Sequence, residues 1–314
     1  METKKHPLSK PLTACVCAMI CCLLWGSAFP AIKSGFAWLG ISAEDSASEI
    51  LYAGIRFFLA GVFTIIITSA INRKFMHPTK KSVPKVCFLS LFQTILQYFF
   101  FYIGLANTSG VKASVIEGAN VFIALIVSCL VFRMEKFTVA KIAGSIIGFA
   151  GVVIINLTDG GFDMSLSLKG EGFILISTVA YAFSSVLMKH YSKEENPMML
   201  SGWQFLFGGA VMAVGGLAAG GRLPAFEIKS VVLLVYLAFL SAAAYSLWSM
   251  LLKYNPVSKI AVYGFMNPVF GVILSAFILG EAEQAFGLKS LLALVLVCVG
   301  IYVVNRDKKE NTER

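Results

Sequence analysis

The sequence predicts an all-α integral membrane protein of ten transmembrane helices, arranged as two inverted five-helix repeats. Three observations carry this. Apolar residues make up 58% of the 314 and charged residues only 14%, about half the charged share usual in a soluble domain, and mean hydropathy is +0.80. Ten apolar runs approach or exceed the roughly 20 residues a spanning helix needs. The stretch Leu24-Trp25-Gly26-Ser27-Ala28-Phe29-Pro30-Ala31-Ile32-Lys33 returns in altered form as Ala180-Tyr181-Ala182-Phe183-Ser184-Ser185-Val186-Leu187-Met188-Lys189. In both, an aromatic leads small residues and a Lys follows eight positions later, the mark of a duplicated chain.

In order, the runs are 12–32, 50–71, 86–106, 111–132, 139–157, 171–190, 199–219, 231–252, 257–279 and 287–304. The first follows Lys4, Lys5 and Lys10 and has the look of a signal peptide, but the repeat uses it, so it counts as an uncleaved helix. Within it Pro30 removes a backbone donor and leaves one carbonyl free. The second follows an acidic 34–49 loop (Glu44, Asp45, Glu49). The third and fourth, and the eighth and ninth, form hairpins, because Asn107-Thr108-Ser109-Gly110 and Lys253-Tyr254-Asn255-Pro256 are turn-formers.

The repeat holds along the chain. Gly54-Ile55-Arg56-Phe57 matches Gly202-Trp203-Gln204-Phe205, Val111 through Glu135 matches Val257 through Glu281, and Gly151 through Asn156 matches Gly300 through Asn305. The halves are therefore 1–157 and 158–314. Five helices is an odd number, so the second half enters the membrane from the opposite face, as in inverted-repeat transporters.

Orientation follows from the basic residues. One face carries 19 Lys and Arg, in the two termini and in the loops around 72–85, 133–141, 189–193 and 253–259; the other carries 6 (Lys33, Lys112, Lys169, Arg222, Lys229, Lys289). The positive-inside rule puts both termini in the cytoplasm and the protein in the cytoplasmic membrane. This distribution also explains the net charge of +9 without a nucleic-acid partner. The seven cysteines all lie in or at the edge of apolar runs, against a disulfide framework. Cys17 and Cys21 share a helical face, but small apolar packing is the stronger reading there than a soft metal. His6, His77 and His190 fall in loops, and no phosphate-cradling glycine loop is present. The expectation is no enzyme, no metal and no cofactor.

Arg56 and Glu117 are the charges set most clearly inside spans, where such residues suggest function. Each lies about six positions from the extracytoplasmic end of its run, roughly 9 Å deep, which makes an ion pair plausible; snorkelling of Arg56 and a purely structural salt bridge are the alternatives. Glu117 is also the one carboxylate well inside a run, hence the candidate carrier if a proton is the coupling ion. Polar stripes mark further faces: Ser114, Glu117, Asn120, Ala124 and Ser128 on the fourth helix, Gln93 and Gln97 on the third, Ser241, Tyr245 and Trp248 on the eighth, Tyr263 and Asn267 on the ninth. Interhelical hydrogen bonding accounts for any one of these, while stripes on several helices together favour a shared cavity. The candidate substrate-binding set is Trp25, Ser27, Phe29, Arg56, Gln93, Gln97, Glu117, Asn120, Tyr181, Ser184, Tyr245, Trp248, Tyr263 and Asn267. Glu135 and Glu281, at opposite faces, read as capping or loop-contact residues.

The Trp25-Gly26-Ser27-Ala28-Phe29 pattern ending in Lys33, Arg56-Phe57, the Glu after the fourth and ninth helices, and Asn267-Pro268-Val269-Phe270 together resemble the EamA-type branch of the drug/metabolite transporter superfamily, over about residues 12–305. Phe122 stands where Pro268 stands in the other half, a departure from the family pattern. The resemblance implies a secondary transporter working by alternating access. It implies, as substrate, an amino acid or related small amphipathic or zwitterionic metabolite, with export as the direction. Uptake, a sugar-nucleotide, lipid-headgroup or drug-like substrate, and a non-transporting helper of a membrane enzyme are the rivals. Membrane lipid and a small-molecule substrate are the expected partners, and the chain acts as a monomer or homodimer.

Overall fold

In the computed structural model the described residues are 6–42, 44–108, 110–155, 167–223, 227–279 and 288–307; they form helices and turns, with no strand among them. Six helical stretches are long and apolar enough to cross a membrane: Pro11–Leu39, Ser46–Ile71, Val83–Leu105, Leu168–Tyr191, Pro197–Ala218 and Ile228–Tyr254. The chain is thus a multi-pass membrane protein. We label the helices α1 (Pro11–Leu39), α2 (Ser46–Ile71), α3 (Val83–Leu89), α4 (Gln97–Ala106), α5 (Gly110–Gly118), α6 (Asn120–Ile126), α7 (Val139–Ile155), α8 (Phe173–Tyr191), α9 (Pro197–Ala218), α10 (Ile228–Tyr254), α11 (Val257–Ala261), α12 (Met266–Leu279) and α13 (Leu288–Arg306). Wide π-turns at Ser90–Leu96, Val127–Val131 and Leu168–Gly172 continue α3 into α4, extend α6 and lead into α8.

The first connection differs from expectation. α1 runs unbroken through Pro30 and ends only at Gly40, whose left-handed φ of 67° closes the helix. Glycine adopts that conformation without steric cost. α2 starts four residues before its apolar run because Asp45 caps it, accepting from the Ser48 N–H at 3.0 Å and the Ser48 hydroxyl at 2.6 Å. Those bonds hold the Asp45 carboxyl below the usual range. The expected 34–49 loop is therefore mostly helix, and Glu49 lies in the first turn of α2 at only 5% exposure.

α2 packs along α9 and α7 along α13; α1 lies on α10 and α12, and α8 on α4 and α6. Close approach comes from glycine, since small residues let backbones meet where lipid offers no hydrophobic drive. At the α2–α9 contact a Cβ on Gly54 would collide with Met212 and Ala213, and one on Gly202 with Thr64 and Ile65. At the α7–α13 contact a Cβ on Gly151 would meet Ala293 and Val297, and one on Gly300 would meet Gly144 and Gly148.

Polar groups tie the helix ends. Glu135, just beyond the fourth apolar stretch, accepts from the Val257 and Ser258 backbone N–H groups and the Ser258 hydroxyl, capping α11. Its other partner is Lys141 at 3.0 Å, a lysine with no exposed side-chain surface. Lys85 bonds Glu194 at 2.7 Å and Glu195 at 3.1 Å. At the far end Thr108 donates to Glu171 at 2.6 Å. Glu281 lies outside the described residues.

Candidate functional site

Two interrupted helices position the centre of the molecule. α5 stops at Gly118 and α6 restarts at Asn120. On the second-half side α11 passes through a 3-10 turn, Val262–Phe265, before α12 begins at Met266. Pro268 is the third residue of α12, where its missing N–H removes no helical bond. The first-half break forms without a proline, so Phe122 in the Pro268 position does not keep that stretch straight. Backbone irregular at such depth persists where it lines a cavity.

A cavity of about 140 Å³ lies between these breaks. Nine of the fourteen candidate residues line it: Trp25 from α1, Arg56 from α2, Gln97 from α4, Glu117 and Asn120 from either side of the first break, Tyr181 from α8, Tyr245 and Trp248 from α10, and Asn267 from α12. Trp25 packs edge-on to Tyr245 at 5.2 Å and to Trp248 at 4.9 Å between ring centres. The Tyr98 and Tyr245 hydroxyls bond each other at 2.6 Å. Several polar atoms here are sealed and have no partner among the described residues: Trp25 Nε1, Gln97 Oε1, Asn120 Oδ1 and Asn267 Oδ1.

Arg56 and Glu117 do not pair in this conformation. The guanidinium, in a residue 3% exposed, donates to Ser241 Oγ from Nε at 3.2 Å and from Nη2 at 2.9 Å. No salt bridge joins it to Glu117 among the described residues. The earlier start of α2 explains part of this: Arg56 sits ten residues into its helix, about 15 Å, and Glu117 seven residues into α5, about 10 Å. The run ends give equal depth, but the Asp45 cap moves the start of α2. Both side chains nonetheless face one cavity, leaving a buried cation and a carboxylate that no protein group neutralises among the described residues.

The remaining candidates lie elsewhere. Ser27 Oγ donates to Leu24 O at 2.7 Å and meets the Tyr236 hydroxyl at 2.8 Å, on the side of α1 that faces α10. Ser184 is buried and donates back to Tyr181 O. Tyr263 is buried in the 3-10 turn, where its carbonyl accepts from Cys22 Sγ. Gln93 is buried in the π-turn before α4, with Oε1 unpartnered. The Phe29, Lys33 and Ser114 side chains are outside the described residues. The cavity also uses Tyr98, Phe101, Ser177 and Thr178, which sequence reasoning missed. Ser177 and Thr178 lie one turn before Tyr181, and that helical spacing was the available signal.

A model of the EamA-like transporter family matches residues 12–157 and again 168–306. An uncharacterized transporter of Archaeoglobus fulgidus is 28% identical over 296 residues, covering 90% of this chain and 95% of its own. The uncharacterized transporter YvbV of Bacillus subtilis is 26% identical over 96% of this chain and 94% of its own. A probable amino-acid metabolite efflux pump of Salmonella typhimurium is 25% identical over 91% and 92% respectively. A solved crystal structure shares the fold at a TM-score of 0.75, with 18% identity, across 93% of this chain and 96% of that one.

Proposed function

The chain belongs to the EamA-like transporter family, and from that premise we propose that it is a secondary active transporter exporting a small zwitterionic metabolite, an amino acid or close relative, by alternating access. The observation that carries the proposal is the pair of unneutralised charges, Arg56 and Glu117, in one aromatic-lined cavity. A zwitterion supplies both missing partners: its carboxylate suits the guanidinium, and its ammonium suits Glu117 together with the free Asn120 and Asn267 carbonyl oxygens. Trp25, Tyr181, Tyr245 and Trp248 give an apolar wall. The volume, about 140 Å³, is near the roughly 150 Å³ of a cavity that holds benzene, which favours compact side chains.

The architecture in this reading is ten spans in two inverted five-helix halves, 1–157 and 158–314, with both termini cytoplasmic. The family model matching twice supports the duplication. The reciprocity of the glycine contacts supports the inversion: Gly54 meets Met212 and Ala213, while its counterpart Gly202 meets Thr64 and Ile65. Each residue and each neighbour is displaced by the same 148 positions, which is what a twofold relation between the halves requires. The salmonella relative's description as an efflux pump favours export.

The test is a thermal-shift screen of the purified protein against amino acids and their deaminated and decarboxylated analogues, followed by counterflow of any stabilising compound in proteoliposomes. A bound ligand raises apparent stability. We expect at least one zwitterion to stabilise the protein and exchange across the membrane, and Arg56→Gln to remove both effects. If no zwitterion shifts the transition or moves, the reading is wrong.

A further inference from the structure

Beyond the cavity, the outermost turns of α2 hold polar groups that the transport site does not use. Glu49, Tyr52 and Arg56 follow each other at three- and four-residue steps, so they line one face of α2. Glu49 is 5% exposed and Tyr52 is fully buried. Glu49 Oε2 and the Tyr52 hydroxyl are sealed, and neither has a partner among the described residues. Across from them Tyr102 of α4 is 2% exposed, with its hydroxyl interacting with the Arg56 guanidinium. The Phe36 ring of α1 packs against both phenols, at 5.5 Å from Tyr52 and 6.1 Å from Tyr102. Tyr102 lies within electrostatic reach of both the Arg56 guanidinium and the Glu49 carboxylate, and Tyr52 within reach of Tyr102 and Arg56.

Two sealed and unpartnered atoms, Glu49 Oε2 and the Tyr52 hydroxyl, need an account, since buried polar atoms are normally satisfied. An ionised carboxylate with one oxygen sealed and lacking a donor is disfavoured. Binding a proton removes the charge and creates an O–H donor, and each phenol can both donate and accept. The other charged groups around Glu49 are Asp45, which caps the same helix, and Arg222, whose backbone N–H donates to Ser48 Oγ at 2.9 Å. Asp45 is already held by Ser48, so it offers Glu49 no neutralising charge.

We infer that Glu49 is a proton-binding site at the N-terminal end of α2 beside its Asp45 cap, and that Tyr52 and Tyr102 couple its charge state to Arg56 at the cavity. This rests on the transport reading for its purpose, because a proton here alters the field at the guanidinium that would hold the substrate carboxylate. The step is simple protonation of one carboxylate oxygen, with no other bond made or broken. It assigns the coupling role to Glu49 rather than to Glu117, which then serves the substrate.

An infrared pH titration of the protein reconstituted in lipid tests this with protons as the only ligand. Wild type should develop the carbonyl band of a buried protonated carboxyl as pH falls from about 8 to about 5. Glu49→Gln should lose that band and Glu117→Gln should keep it. Glu49→Asp, which retains a carboxyl, should show it at a shifted frequency, which guards against a folding defect in the Gln variant. Arg56→Gln removes a cation that disfavours protonation, so the band should appear at higher pH; Tyr102→Phe should move its frequency. A band that survives Glu49→Gln unchanged, or no band in wild type, overturns the proposal. A protein that exchanges a zwitterion yet lacks the Glu49 band leaves the transport reading standing and ends this one. A Glu49-dependent band in a protein that neither binds nor exchanges any zwitterion does the reverse.

Discussion

Arg56 and Gln204 occupy matching positions in the two halves, yet the molecule treats them differently. Arg56 donates to Ser241 and borders the cavity. Gln204 is fully buried, accepts from the Thr94 hydroxyl at 2.6 Å, and does not reach the cavity. Their partners match too: Thr94 and Ser241 are 147 positions apart, as are Tyr98 and Tyr245. The same interhelical contact is thus made twice, once with a charge and once without. In the proposed duplication, paired contacts form the scaffold and divergence at a few positions concentrates charge on one side of it. In membrane interiors that asymmetry is expected of function, because each buried charge is costly to place.

The comparison is open to test by exchanging the residues. Gln204→Arg puts a guanidinium at a fully buried position away from the cavity that Arg56 and Glu117 line. It should lower stability by about 3–5 kcal/mol or prevent folding, whereas Arg56→Gln, which copies its counterpart, should cost about 1 kcal/mol. Thermal unfolding in detergent measures both, and equal losses would mean that the two sites are equivalent after all. A smaller effect separates the partners. Thr94→Val strands the Gln204 amide, whose Nε2 is already unpartnered, at about 1–3 kcal/mol. Ser241→Ala should cost less than about 1 kcal/mol, because Arg56 can turn to the cavity. The smallest concerns Arg56 and Glu117. With no ion pair between them, the Arg56→Gln and Glu117→Gln stability changes should add to within about 0.5 kcal/mol. A larger coupling would show that the charges meet in another conformation.

Much of this was legible in the sequence. The apolar helices follow from composition, and nine site candidates share the cavity because polar stripes on buried helices converge. Glu49 was not placed correctly, since hydropathy marks where apolar residues begin and not where a cap starts a helix; Asp45 and Ser48 were the missing signal. The Arg56–Glu117 pairing failed for a related reason: spacing along a run constrains depth but not azimuth, and Ser241 on α10 competes for the guanidinium. Ser27 and Ser184 lie outside the cavity, each hydroxyl donating to a carbonyl of the preceding turn, as hydroxyls on apolar helices can.

The hydrogen bond between Tyr98 and Tyr245, like the stacking of Phe57 on Phe205 at 5.3 Å, joins two residues that are each other's counterparts. In the proposed cycle the halves exchange conformations when access switches sides. A contact between unlike positions, such as Glu135 with Ser258, must then be broken and replaced by its mirror elsewhere. The tyrosine pair maps onto itself and has nothing to exchange. In that cycle it would be a fulcrum: the bond can persist through the motion while everything around it rearranges, in the wall of the cavity proposed to hold the substrate.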